Sequence, residues 1–172
     1  QVNLLVQNPR RRELGGIVDW RLAELDRLGV TVRYNCLAGP EDVLALAPDI
    51  VVVATGGLPQ MPDMVGADLA LTSWQVISGE ARPSGRVLVY DDGGGHAGMT
   101  AAEILARAGA QVEIVSPERF FAPEMGGLNH VPYMRAFHET GTTITINSRV
   151  ASIRREGNAL TVTLGSDFAP DH

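Results

Sequence analysis

The sequence predicts a layered α/β fold built on a parallel sheet, and three observations predict it. An apolar strand, Arg86 to Tyr90, is followed by a glycine-rich loop, an alanine-rich helix and a returning strand, Gln111 to Val115. Asp49 to Thr55 carries an unbroken Ile-Val-Val-Val-Ala run, β-branched and apolar on both faces, as expected of a strand covered from both sides. Arg149 to Arg155 and Ala159 to Leu164 alternate in polarity around Glu156-Gly157-Asn158, which has the composition of a hairpin turn.

The remaining elements follow in chain order. Residues 10–28 place Leu14, Ile17, Val18, Leu22, Leu25 and Leu28 at three- and four-residue spacing ahead of Gly29, so one amphipathic helix is expected there. Val30, Val32 and Tyr34 alternate with Thr31 and Arg33 as in a half-buried strand. Pro40 and Pro48 bracket a short helix, Glu41 to Ala47. Gly56-Gly57 ends the Asp49–Thr55 strand, and the stretch to Leu71, with Pro59, Pro62 and Gly66, has no period and reads as a connecting loop. Thr72 or Ser73 caps a short helix through Ile77, and Gly79, Pro83 and Gly85 mark a second loop, so two lobes are expected to meet at about 56–85. From Arg86 the order is strand, loop Asp91 to Ala97, helix Gly98 to Ala108 and strand, and strands joined in this way run parallel. A loop with Pro117, Pro123 and Gly126-Gly127 precedes a helix from Pro132 to Thr140, a strand from Thr143 to Asn147 and the hairpin.

Composition removes whole classes of function. The 172 residues suffice for a domain with a sizeable core, given the usual ~100–200 residues per domain. The net charge of −6 offers no basic stripe for a phosphate backbone, so nucleic acid is not an expected partner. All fourteen basic residues are arginine, which excludes a Walker lysine, a Schiff-base lysine and the lysine of a Tyr-x-x-x-Lys dehydrogenase. Cys36 is the single cysteine, so this chain holds no internal disulfide, four-cysteine cluster or multi-cysteine zinc site, and a reduced, cytoplasmic setting is expected. No apolar run approaches the roughly 20 residues that span a bilayer, so no membrane partner is expected either. The start at Gln1 and the end at Pro170-Asp171-His172 read as those of a piece cut from a longer polypeptide.

Gly93, Gly95 and Gly98 form G-x-G-x-x-G between a strand and a helix, the context of a Rossmann-like phosphate loop. Such glycines let backbone approach a pyrophosphate, which the free N–H groups and positive end of the next helix then stabilise. Gly93, Gly94, Gly95, His96 and Gly98 are therefore the candidate cofactor-binding residues, with Ser116 at the tip of the second strand. Two features oppose this. Asp91-Asp92 stand between the strand and the first glycine, where each carboxylate would repel a phosphate. The second strand ends in Val115-Ser116-Pro117, without the acid that would hold a ribose diol, although Glu118 or Arg119 stands nearby. Pyridine-nucleotide binding is accordingly expected to be weak or absent.

Other candidates are thin. His130 and His138 lack neighbours at metal spacing, His172 sits at the chain end, and no metal site is expected. Cys36 reads as inert, and Arg10-Arg11-Arg12 as a solvated helix start. No catalytic residue is named.

Ala54-Thr55-Gly56-Gly57, closing an apolar strand some thirty residues before the Rossmann unit, resembles the flavin-domain exit of flavoproteins with two dinucleotide folds. More specifically, Arg10-Arg11-Arg12-Glu13-Leu14, Ile17-Val18-Asp19-Trp20-Arg21, Thr72-Ser73-Trp74-Gln75-Val76-Ile77-Ser78-Gly79 and Leu88-Val89-Tyr90-Asp91-Asp92 resemble the C-terminal part of bacterial N-methylproline demethylases. These belong with trimethylamine dehydrogenase, histamine dehydrogenase and dienoyl-CoA reductase among NADH:flavin oxidoreductases related to old yellow enzyme. The resemblance implies an FMN-bearing barrel and a [4Fe-4S] loop outside this chain, followed by paired folds for FAD or ADP and for NAD(P). Residues 1–57 would then be a remnant of the FAD/ADP-binding fold, with Thr55 and Gly56 at its cofactor. Residues 58–85 would connect, 86–165 would form the NAD(P)-binding-like Rossmann domain, and 166–172 a terminal tail.

Three readings follow. The first is a dinucleotide-binding part of an FMN/iron–sulfur oxidoreductase that demethylates N-methyl amines, inactive by itself. The second is a docking domain with no nucleotide bound, bracing the flavin domain or an electron-transfer partner. The third is a stand-alone NAD(P)-binding protein. In each of the first two the isolated chain is expected to self-associate.

Overall fold

The computed structural model describes residues 2–169 and 171, so the expectations placed on Gln1, Pro170 and His172 lie outside the described residues. Three strands, β1 (Arg86–Tyr90), β2 (Gln111–Val115) and β3 (Thr143–Thr145), form a parallel sheet in the order β1-β2-β3. Arg86 pairs with Gln111 and Tyr90 with Val115, while Glu113 to Val115 pair with Thr143 to Thr145. Val112, Ile114 and Val115 of the central strand are buried because both its edges are paired and its faces covered.

Among the described residues six α-helices accompany the sheet: α1 (Val2–Leu5), α2 (Gly15–Arg27), α3 (Pro40–Leu44), α4 (Ser73–Ser78), α5 (His96–Arg107) and α6 (Gly127–Thr140). Helix α5 packs on β1 and β2 and lies between α4 and α6. Its buried residues Met99, Ala102 and Ala106 recur at helical spacing, and with Ile114, Tyr133 and Phe137 they make the centre of the core. Thr72 caps α4 as expected, its hydroxyl accepting from Gln75 N–H at 3.3 Å while the Gln75 side chain accepts from Thr72 N–H at 3.0 Å.

An antiparallel hairpin, β4 (Arg149–Glu156) and β5 (Ala159–Gly165), turns at Gly157, as the sequence predicts. It is held to the connecting loop by Ile153 N–H donating to Val65 O at 2.8 Å. A cleft of about 1840 Å³ runs between β1 and this hairpin, lined by Val87, Val89, Ile153 and Val162. The architecture is thus the α/β fold expected, with a parallel sheet, helices and a hairpin.

Several elements depart from expectation. Val30–Tyr34 and Asp49–Thr55 are not strands: neither segment has a ladder partner among the described residues, and Ile50 is 82% exposed. The apolar pattern specifies a strand for burial, but a strand exists only when another completes its hydrogen bonds. The helix expected over 10–28 is divided into a 3-10 turn, Pro9–Leu14, capped by the Asn8 side chain, and α2. The helix expected to reach Ala47 stops at Leu44. Helix α5 starts at His96 rather than Gly98, α6 starts at Gly127 with Pro132 inside it, and β3 ends at Thr145 before Asn147 turns at φ 53°.

One polar cluster ties the first fourteen residues to this core. The Glu103 side chain is 6% exposed and makes a paired ion contact with Arg10, receives Arg107 Nε at 2.9 Å and lies 3.5 Å from Asn8 Nδ2. Burial by itself would raise the Glu103 carboxyl, but the hydrogen bonds from Arg10 and Arg107 outweigh it and hold the group below its usual range. Arg10 also stacks 4.8 Å from the centre of the Tyr133 ring.

Two outcomes are expected. Arg10→Ala, which leaves a buried carboxylate short of its main partner, should cost about 3 kcal/mol in urea unfolding, and Arg107→Ala about 1 kcal/mol because that guanidinium is half in water. The unpaired apolar segments at 30–34 and 49–55 should make the isolated chain associate as concentration rises. Sedimentation velocity checks this, and a chain monomeric throughout would refute it.

Candidate functional site

The glycine loop leaves β1 at the carboxyl end of the sheet and enters α5, where a strand–helix unit presents free N–H groups. Asp91 is the first residue of this loop. Its N–H continues the ladder to Val115 O at 2.9 Å, and its side chain turns under the start of α5, leaving the residue 5% exposed. A Cβ built on Gly98 would stand 2.9 Å from Asp91 Oδ1 and 3.1 Å from its Cγ, so any other residue would force this buried carboxyl group to shift. Asp92 projects into solvent.

On the outer side of the loop, Gly94 adopts φ 59°, and a Cβ there would lie 2.7 Å from Pro123 Cδ. Glu124 N–H donates to Gly94 O at 3.1 Å, fastening the segment after β2 over the loop. Pro123 was legible only as a loop residue; nothing local marks it as the partner of Gly94.

Burial pushes the Asp91 carboxyl up to about 6; backbone N–H groups of Gly94 and Gly93 pull it down, and Asp92 and Glu118 push it up. Its Oδ2 is buried without a hydrogen-bond partner among the described residues. His96, the first residue of α5, accepts from Arg11 Nη2, which is 2.9 Å from Nδ1, and Arg11 also donates to Asn129 Oδ1 at 3.0 Å. Burial and the neighbouring Arg11 lower the imidazole's pKa, which favours the unprotonated ring nitrogen that accepts from Arg11.

Ser116 is brought to the same end of the sheet but is already engaged. Its N–H donates to Thr145 O at 2.9 Å, its carbonyl accepts from Ser148 N–H at 3.0 Å, and its hydroxyl accepts from Glu118 N–H at 3.3 Å. Gly93, Gly95, His96 and Gly98 line the cleft, whereas Thr55 and Gly56 lie exposed outside its lining. Cys36 is exposed, and among the described residues no group of three or more His, Cys, Asp or Glu is arranged to hold a metal ion. No helix among them is long and apolar enough to cross a membrane.

The site therefore offers a helix start, backbone N–H groups and a glycine at each close approach, without a metal-holding cluster among the described residues. As arranged, the loop does not fit the pyrophosphate that its glycines predict: Asp91 stands at the helix start, and Pro123 lies against Gly94.

Parallel sheet, glycine loop and antiparallel hairpin together define a fold of the dinucleotide-binding type. The family model of pyridine nucleotide-disulphide oxidoreductases matches residues 13–168, and the chain belongs to that family. It is 46% identical over 98% of its length to a probable N-methylproline demethylase of Rhizobium meliloti, and 34% identical over 98% to an N,N-dimethylglycine/sarcosine dehydrogenase of Chromohalobacter salexigens. The resemblance to N-methylproline demethylases drawn from the motifs is thus found over nearly the whole chain. Among solved structures, a 2-naphthoyl-CoA reductase superposes with a TM-score of 0.83 over 99% of the chain at 22% identity, a likeness of fold. The chain spans 25% of the length of each of these three proteins.

The raised Asp91 carboxyl has a consequence for stability. Its folded pKa, about 6, lies above the unfolded value near ~3.9, so its contribution is complete below the unfolded value and is lost as pH rises through 6. Asp91→Asn should remove this slope. The variant's urea midpoint should exceed that of the unmodified chain by more at pH 8 than at pH 5, and an equal difference at both would contradict the placement of the charge.

Proposed function

We propose that this chain is the dinucleotide-fold portion of an FMN and iron–sulfur oxidoreductase that removes the methyl group of N-methyl amines resembling N-methylproline. The observation that carries the reading is the 46% identity to the probable N-methylproline demethylase, running without a large gap in coverage through both the 1–57 and 86–165 segments. The dimethylglycine/sarcosine dehydrogenase, whose name also denotes N-methyl amines, supports the substrate class.

In this reading the FMN and the cluster, held by a barrel outside this chain, would take up the electrons released at the N-methyl carbon. Water then hydrolyses the oxidised amine to formaldehyde and the demethylated amine. No residue of this chain enters that chemistry. Its own tasks are to dock and to bind. Val30, Val32 and the exposed Ile50 to Val53 present apolar surface for the barrel and flavin domain of the same polypeptide. Thr55 and Gly56 are the residues we assign to FAD or ADP; the space around Gly56 is open and its backbone, at φ 72°, is reachable by a ligand.

A second reading is favoured by Asp91 and Pro123: the Rossmann part from 86 to 165 carries no NAD(P) and braces the enzyme. The two readings agree on the reaction and differ in what the glycine loop holds.

The decisive measurement is formaldehyde release from N-methylproline with an artificial electron acceptor. The full-length polypeptide should release it and the 172-residue chain should not. Release by this chain alone, or a full-length protein inert toward every N-methyl amine, would overturn the proposal.

A further inference from the structure

The glycine motif and the family fold both call for a dinucleotide at the start of α5, and the residues standing there disagree. We propose that Asp91 is the chain's own occupant of the phosphate position, closing the loop to pyrophosphate-bearing ligands and converting Gly93–Gly98 into a fixed strand–helix joint. The inference stands on the family fold and the loop geometry, not on the amine substrate, so the two fail separately.

The structure separates two neighbouring carboxylates that look alike in sequence. Asp92 lies in solvent, where water and salt screen it. Asp91 is buried, and the third glycine of the motif lacks a side chain at the point where a Cβ would meet Asp91 Oδ1 at 2.9 Å. In a nucleotide-binding loop that glycine serves close packing of helix and strand beneath the phosphates. Here it makes room for a carboxyl group. The backbone N–H groups of Gly93 and Gly94, which would face an anion, stand close enough to Asp91 to pull its carboxyl down against the effect of burial.

No compensating cation stands by to admit a second anion. Among the described residues Asp91 has no ion-pair partner, and the groups that face it, Asp92 and Glu118, are both acidic. Arg11, on the far side of His96, is engaged with that ring and with Asn129. From outside, Pro123 covers Gly94, and the hydrogen bond from Glu124 N–H takes the Gly94 carbonyl. Pro123 covers only Gly94, while Gly93, Gly95 and His96 line the cleft and are open to it. Asp91 closes it from within.

The test uses the full chain and two readouts. Inorganic pyrophosphate and NADH are titrated calorimetrically into the unmodified chain, Asp91→Gly and Asp92→Gly. We expect Asp91→Gly to bind pyrophosphate about tenfold tighter than the unmodified chain, the order that a freed helix start provides, and Asp92→Gly to stay within about twofold. Asp91→Ser, which keeps a small polar group beneath the helix, replaces the glycine variant if that one does not fold and carries the same expectation. Micromolar binding by the unmodified chain, an equal gain in Asp92→Gly, or no gain in either Asp91 variant would overturn the assignment. The second readout needs no ligand. Gly98→Ala should lower the melting temperature in the unmodified chain, through collision with the carboxyl group, and should not do so when combined with Asp91→Gly or Asp91→Ser. An equal loss in both backgrounds would show that Gly98 does not accommodate Asp91 and would overturn the proposal.

Discussion

Glu103 lies on the face of α5 that turns toward the core, beside Met99, Ala102 and Ala106, and a carboxylate in that place must be answered by positive charge. Arg107, one turn later on the same helix, answers part of it from a half-exposed position. The rest comes from a distant part of the chain: Arg10 reaches in from the 3-10 turn, and Asn8 both caps that turn and approaches the carboxylate. Because one acid fixes Arg10, the next residue, Arg11, is delivered to His96 and Asn129 at the starts of α5 and α6. The register of the N-terminal segment against the two helices, and the setting of the glycine loop between them, follow from this pairing. Hydrophobic packing at Tyr133 and Phe137 supplies more energy but less direction, since apolar contact is tolerant of small slides while a two-pronged ion pair is not.

Charge is distributed unevenly about the loop itself. Beside the 3-10 turn, Arg11 is spent on hydrogen bonds to His96 and Asn129; on the side of β2, Asp92 and Glu118 stand close enough to push the Asp91 carboxyl up. Burial, with Asp92 and Glu118 beside it, outweighs the backbone N–H groups of Gly94 and Gly93 at Asp91, which is why its carboxyl sits near 6 rather than in the usual carboxylate range. A loop that bound phosphate would be expected to show the opposite balance, with free donors and spare positive charge.

The elements from Thr72 onward are legible in the sequence because their signals are local: a capping threonine, strands flanked by turn residues, a left-handed glycine after α6 at Gly141, and a hairpin turning at Gly157. The segments at 30–34 and 49–55 are misread for a physical reason. Their composition states what they need, burial between layers, but a strand is completed by hydrogen bonds from another segment, and periodicity within seven residues cannot reveal whether that segment is at hand. The early start of α5 and the inclusion of Pro132 in α6 are tertiary effects on helix ends, where propensity is weakest. Of the site, the glycines, His96 and both aspartates are visible in sequence, but the pairing of Arg10 with the buried Glu103 and the place of Pro123 are not. A signal for the first existed: an acid at position 103 on an otherwise apolar stripe asks for a partner.

The glycines themselves show why a motif and its ligand can part company. A glycine is required wherever a Cβ would collide, and the requirement does not depend on what it would collide with. At Gly98 the colliding group is Asp91, and at Gly94 it is Pro123, so both positions are held by contacts within the chain. Once an acid has entered beneath the helix, replacing Gly98 brings a steric cost whether or not a nucleotide ever binds, and the loop's conformation persists on packing grounds. G-x-G-x-x-G then certifies the strand–loop–helix geometry, which the parallel sheet and the family match confirm independently. What it does not certify is free donors at the helix start, and those are decided here by the residue immediately after the strand.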